Sequence, residues 1–141
     1  MNINPGVGDM IKKIDHIGIA VKSLSNALSL YKDTLGLELK GIEEIEEQKV
    51  RVAIIPIGDS KIELIEPMGD DSPIKRFIDN RGEGIHHIAL ETDNIVHMLK
   101  SLKEKGYKLV DEEPRVGASK AKIAFIHPKS TMGTLIELCE H

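Results

Sequence analysis

Tryptophan is absent from this 141-residue chain, and the remaining aromatics are two phenylalanines and two tyrosines. So few flat ring faces argue against the stacked platforms with which proteins hold single-stranded bases. A single cysteine, Cys139, excludes an internal disulfide framework and any CxxC metal site. Placed in a strand-like segment, it is expected to act as a small buried apolar residue. No apolar run approaches the length of a membrane span, and "MNINPGVGDMIKK" lacks the hydrophobic stretch of a secretory signal, so the cytoplasm is the expected compartment. A net charge of −4 argues against a general nucleic-acid or membrane partner, while leaving room for a local basic patch to meet a phosphate.

What remains is an ordinary globular composition, 40% apolar and 30% charged, and a length that suits one domain over residues 1–141. Within it the chain is written twice. "DHIGIAV" (15–21) matches "HHIALET" (86–92), and "KIELIEP" (61–67) matches "LIELCEH" (135–141) in its Ile-Glu-Leu-x-Glu core. A helical pattern follows each His-bearing segment. Leu24, Leu28, Tyr31 and Leu35 recur at three- or four-residue spacing, with Ser23 as N-cap and Gly36 as terminator. Ile95, Met98, Leu99 and Leu102 do the same, with Asp93 or Thr92 ahead and Gly106 behind. Strands are then expected at "LELKGIEEI" and "YKLVDEE", at "KVRVAIIPIG" and "KAKIAFIHP", and at the two IELxE segments.

The spacing agrees as well: 47 residues separate His16 from Glu63, and 50 separate His87 from Glu137. The expected architecture is α+β, two βαβββ modules forming a curved mixed-sheet cup with the helices on its outer face. Module 1 covers about 12–67 and module 2 about 84–140. The stretch between them, about 68–83, reads as a linker with a short helix starting near Pro73. The first dozen residues carry no readable function and are expected to form a mobile arm or to be ordered only by an accident of packing.

Strand alternation then sorts the side chains. Ile17, Ile19 and Val21 share the face that a helix would cover, as do Ile88 and Leu90, Ile62 and Leu64, and Ile136 and Leu138. His16, Glu63, His87 and Glu137 all fall on the other face, where the neighbours of each His are only Gly18 and Ala20, or Ala89. A lone strand histidine is more often a hydrogen-bonded structural group than a ligand, and a lone strand glutamate more often a solvated edge. Their joint recurrence at equivalent places is what favours a metal site. Burying two carboxylates together without a counter-ion is costly, and a divalent cation removes that cost. Two histidines and two carboxylates without a thiolate suit an octahedral borderline ion (Co²⁺, Mn²⁺, Ni²⁺, Fe²⁺ or Zn²⁺) with two positions left open for water or substrate. The other histidines are given structural readings: His97 on a solvated helix face, His141 at the end of the strand segment, His86 opposite to His87, and His127 shaping the loop "HPKS".

With "IDHIGIAV", "GDSKIELIEP", "GEGIHHIALETDNI", "DEEPRVGASKAKIAFIHPKS" and "GTLIELCE" in this order, the chain from about residue 12 onward resembles the vicinal oxygen chelate superfamily, which includes glyoxalase I and the extradiol dioxygenases. Within that superfamily it looks like the methylmalonyl-CoA epimerase family. The resemblance implies a homodimeric enzyme of propionate-type metabolism. It would interconvert the epimers of a CoA thioester at C2 through a metal-stabilised enolate, with one divalent metal per subunit, cobalt foremost. By position it implies His16, Glu63, His87 and Glu137 as ligands and Glu137 as one acid/base. Some family members carry a catalytic Glu at the position of Val52 and a Gln at the position of Glu63. This chain has Val52 and Glu63 instead, so Glu63 is the expected second proton-transfer group, with Glu47 a weaker candidate.

Gln48, unable to act as a base, is placed with Lys129 and Ser130 as a substrate contact, the last two through backbone amides of the HPKS loop. Arg115, Lys120, Lys122 and Lys129 form the basic run that could face CoA phosphates; an exposed lysine-rich hairpin reads equally well. The rivals are another metal-dependent glyoxalase-like isomerase or lyase and, in a different class, a metal-free small-molecule binding protein. An extradiol dioxygenase fits less well, because a two-His, one-carboxylate iron site leaves Glu63 unexplained.

Overall fold

The computed structural model describes residues 11–141, so residues 1–10 of the expected arm lie outside the described residues, while Ile11 and Lys12 belong to the first strand. Among the described residues, eight strands are formed: β1 (Ile11–Ala20), β2 (Gly41–Ile45), β3 (Val50–Ile57), β4 (Ser60–Pro67), β5 (Gly84–Thr92), β6 (Arg115–Val116), β7 (Lys122–Ile126) and β8 (Ile136–Glu140). The helices are α1 (Leu24–Leu28), α2 (Pro73–Arg81) and α3 (Ile95–Glu104). Two compact units partition the chain: one is residues 16–86, the other residues 87–141 together with the segment that ends at Asp15.

In the first unit the strands run in the order β2–β3–β4–β1, with β3 antiparallel to both neighbours and β1 parallel to β4. Ser23 caps α1, its hydroxyl accepting the Asn26 N–H at 3.2 Å. Beyond Leu28 the helix widens into a π turn over Ser29–Thr34 and stops at Gly36, whose φ of +75° suits a residue without a Cβ. Val21 and Leu24 pack on Ala53, Ile55 and Leu64, with Ile19, Ala27, Leu28 and Tyr31 around them. This is the helix-covered face read from the sequence, although Ile17 on it is only half-buried.

The segment between the modules does more than link them. Ser72, fully buried, caps α2 through its hydroxyl, and Pro73 opens the helix. Ile74 and Ile78 then pack on Ala20, Val50, Val52, Ile54 and Ile65. The register puts those five residues on the face opposite to α1, the face that also carries His16 and Glu63. The linker helix α2, to which the sequence assigns no face, thus lies opposite to α1. Its Ile74–Ile78 stripe is apolar enough to cover the second face of the sheet.

The second unit repeats the plan as β5–β8–β7–β6, with β8 parallel to β5 and antiparallel to β7. Ile95 and Leu99 of α3 pack on Ala124, Ile126 and Leu138. The N-cap of α3 is Asn94 rather than Asp93 or Thr92: the Asn94 amide oxygen accepts the His97 N–H at 3.1 Å, while the Thr92 hydroxyl serves Asn94 itself. "YKLVDEE" is not the regular strand expected of it. Only Leu109 bridges to Ile126, and the strand that edges β7 is the later β6. The physical reason is Asp111, whose carboxylate accepts the Phe125 N–H at 2.9 Å and so takes the place of a ladder carbonyl; Pro114 follows. Among the described residues, no helix is long and apolar enough to cross a membrane.

Candidate active site

Both units place their histidine and glutamate by the same register. Gly18 of β1 stands opposite Glu63 of β4, and Ala89 of β5 stands opposite Glu137 of β8. In each case the residue directly across from the carboxylate is two positions beyond the histidine and is the smallest side chain available. The imidazole on the next position of the same face therefore leans toward the carboxylate over open space. In the first unit His16 Nδ1 lies 3.4 Å from Glu63 Oε2; in the second His87 Nε2 lies 3.1 Å from Glu137 Oε1.

All four side chains are buried, at 4–5% exposure. Apolar neighbours account for much of this. Ile54 stands across from Glu63 on β3, Phe125 stands across from Glu137 on β7, and the Phe125 ring meets His87 edge-on at 5.5 Å. The donor set fits a divalent cation: adjacent ligands of an octahedral ion held at about 2.1 Å stand about 3 Å apart, close to both His–Glu separations. Carboxylate and imidazole without sulfur match a borderline ion.

The remaining site residues read from the sequence fall elsewhere. Val52 is buried on the Glu63 face between Ile65 and Glu43, a wholly apolar side chain at that position. Gln48 and Glu47 sit in the β2–β3 turn, beyond Val50, which is itself about 13 Å along β3 from Ile54. Neither is brought to the His16–Glu63 pair. In the HPKS loop, the Lys129 N–H donates to His127 Nδ1 at 3.1 Å and the Ser130 N–H to the His127 carbonyl at 2.9 Å. Both amides expected to hold a substrate carboxylate are thus engaged within the turn, and the Ser130 hydroxyl accepts the Lys108 N–H at 2.7 Å. His127 shapes the loop, as its sequence context suggested.

The basic run divides in the same way. Arg115 lies over the Phe125 ring at 5.6 Å, with its Nε 3.3 Å from Asp111. Lys120 occupies a tight turn at positive φ, and Lys122 opens β7.

Sequence reasoning assigned one glutamate of each IELxE copy and passed over the other. Glu66 Oε2 accepts the N–H of Leu24, the first residue of α1, at 2.8 Å, and Glu140 Oε1 accepts the N–H of Ile95, the first residue of α3, at 2.8 Å. Each copy therefore carries one carboxylate to a histidine and sends the next, three residues on, to a helix N-terminus, where free N–H groups and the helix dipole favour negative charge. The second Glu of the repeat was the signal for this.

Residues 15–125 match the sequence model of the Glyoxalase/Bleomycin resistance protein/Dioxygenase superfamily. The chain is 46% identical to the uncharacterized protein YqjC of Bacillus subtilis, over 92% of this chain and 93% of that one. It is 38% identical to the ethylmalonyl-CoA/methylmalonyl-CoA epimerase of Cereibacter sphaeroides, over 92% of this chain and 98% of that one. Its fold is similar to that of the Streptomyces coelicolor methylmalonyl-CoA epimerase solved in complex with 2-nitronate-propionyl-CoA. The TM-score is 0.90 at 36% identity, with 93% of this chain and 95% of that one covered.

Proposed function

We propose that this chain, which belongs to the Glyoxalase/Bleomycin resistance protein/Dioxygenase superfamily, interconverts the two C2 epimers of methylmalonyl-CoA by proton transfer. The observation that carries the reading is the duplicated buried His–carboxylate pair in one register, in a chain whose relatives include methylmalonyl-CoA epimerases. A nitronate at C2 is planar and anionic, the shape that C2 of the substrate takes once its proton is gone, so the ligand of the Streptomyces coelicolor structure supports the same chemistry.

In this proposal His16, Glu63, His87 and Glu137 hold one divalent cation, Co²⁺ foremost, with Mn²⁺, Ni²⁺, Zn²⁺ and Fe²⁺ as alternatives. When bound, the cation supplies the Lewis acid that makes a proton beside a thioester carbonyl easier to remove. Inversion without redox then requires a carboxylate for each face of planar C2. Glu137 takes or returns the proton on one face and Glu63 on the other. His16 and His87 complete the ligand set beside these carboxylates. Ile54 and Phe125 limit water around them, so that the proton passes between carboxylate and substrate.

We extend the reading to a cytoplasmic homodimer in propionate-type metabolism; light scattering on the purified protein tests the dimer. Incubation of a single epimer of methylmalonyl-CoA in D₂O tests the activity. Formation of the other epimer together with deuterium at C2 is the expected result, and recovery of unlabelled starting epimer would overturn the proposal.

A further inference from the structure

A second group of ligand-type side chains lies within the unit that contains β8. Asp15, Cys139 and His141 each offer one ligand atom, and these atoms lie within 4.8 Å of one another. Alternation along β8 explains part of the arrangement: Glu137 and Cys139 share one face of the strand, and His141 follows just beyond its end. The first of them serves His87, and the other two lie farther along. Asp15, in the part of β1 that packs with this unit, supplies the third.

The group is almost dry. Asp15 is 2% exposed and Cys139 0%, whereas the His141 side chain is 36% exposed and forms the open side. Its Nε2 stands 2.9 Å from Asp15 Oδ1. A tetrahedral ion of the zinc type, with ligand bonds of about 2.0–2.3 Å, sets its ligand atoms about 3.3–3.6 Å apart. Opening the Asp15–His141 contact by about 0.5 Å admits such an ion between them, with the Cys139 sulfur within 4.8 Å of both ligand atoms.

We propose that Asp15, Cys139 and His141 form a second metal site, for a thiophilic divalent cation of the Zn²⁺ or Co²⁺ type, with a fourth position open on the His141 side. The ligand chemistry separates it from the two His–Glu pairs, since sulfur selects softer ions than carboxylate and imidazole alone. A buried carboxylate beside a buried thiol also gives the cation something to do in the fold: it ties Asp15 of β1 to Cys139 of β8.

Titration of the metal-free protein with Co²⁺ tests this by spectroscopy. A thiolate-to-cobalt charge-transfer band in the near ultraviolet can come only from Cys139, because the chain has no other cysteine. The band is expected in the wild type and in His87→Ala, to vanish in Cys139→Ser, and to require at least ~10-fold more Co²⁺ in His141→Ala, whose exposed position spares the fold. Absence of the band in the wild type at saturating Co²⁺, or an unchanged titration in His141→Ala, would show that Asp15 and His141 are only an ion pair and overturn the site. Failure of the His–Glu reading would appear separately, as a metal content in His87→Ala equal to that of the wild type, with this band present in both.

Discussion

Glu63 and Glu137 are each held by a histidine and faced by one apolar side chain, Ile54 or Phe125. Replacing either carboxylate by its amide keeps the shape and removes the proton acceptor. Glu137→Gln and Glu63→Gln are each expected to slow epimerisation by about 10²–10⁴-fold. C2 deuterium exchange followed from each epimer separately assigns the faces: each variant should lose exchange mainly from one epimer, and unchanged exchange from both in Glu63→Gln would remove that residue from the mechanism.

A second residue-scale effect concerns packing. A Cβ added at Gly117 would stand 2.9 Å from two side-chain atoms of Ile123 and 3.2 Å from a third, so Gly117→Ala is expected to cost about 1–3 kcal/mol in chemical denaturation. Ile123 belongs to the Phe125 side of β7, so the displacement would propagate toward His87.

At the scale of elements, the IELxE strands are wedges between a site and a helix. Glu66 and Glu140 end the N-termini of α1 and α3 in equivalent ways, and Glu66 also binds Arg51 at 3.1 Å. Glu140→Ala is expected to destabilise the protein by about 1–2 kcal/mol, the range of a charge-assisted bond at a helix start, and Glu140→Gln by less. Thermal unfolding at matched pH measures both. Outside these wedges, the ammonium of Lys49 holds the Asp71 carboxyl below its ordinary value of 3.8, joining the β2–β3 turn to the approach to α2. A lowered folded-state pKa means stability that is present above the ordinary value and lost as pH falls through the lowered one. The gap in melting temperature between wild type and Asp71→Asn should therefore close in that acid range.

For the molecule as a whole, two units with matched registers carry two matched His–Glu pairs, and the proposal of a shared cation makes stability depend on metal. At a free metal concentration a hundred times its dissociation constant, binding adds about 2.7 kcal/mol to the folded state. Dialysis against a chelator should lower the melting temperature accordingly, and added Co²⁺ should restore it. No change on removal would speak against metal at those four side chains.

Much of this was legible before any coordinates. The duplication, the cap at Ser23, the helix start near Pro73, the stops at Gly36 and Gly106, and the shared face of His16 with Glu63 and of His87 with Glu137 follow from local preferences and from the period-two pleat, which a string of residues already carries. Tertiary structure decided the rest. It sent α2 to the face opposite α1 and moved the edge strand of the second half to Arg115–Val116. It also joined Glu66 to Leu24, Glu140 to Ile95 and Asp15 to His141. Those partners lie 42, 45 and 126 residues apart, and strand pairing, not the preference of any one segment, determines which distant groups become neighbours.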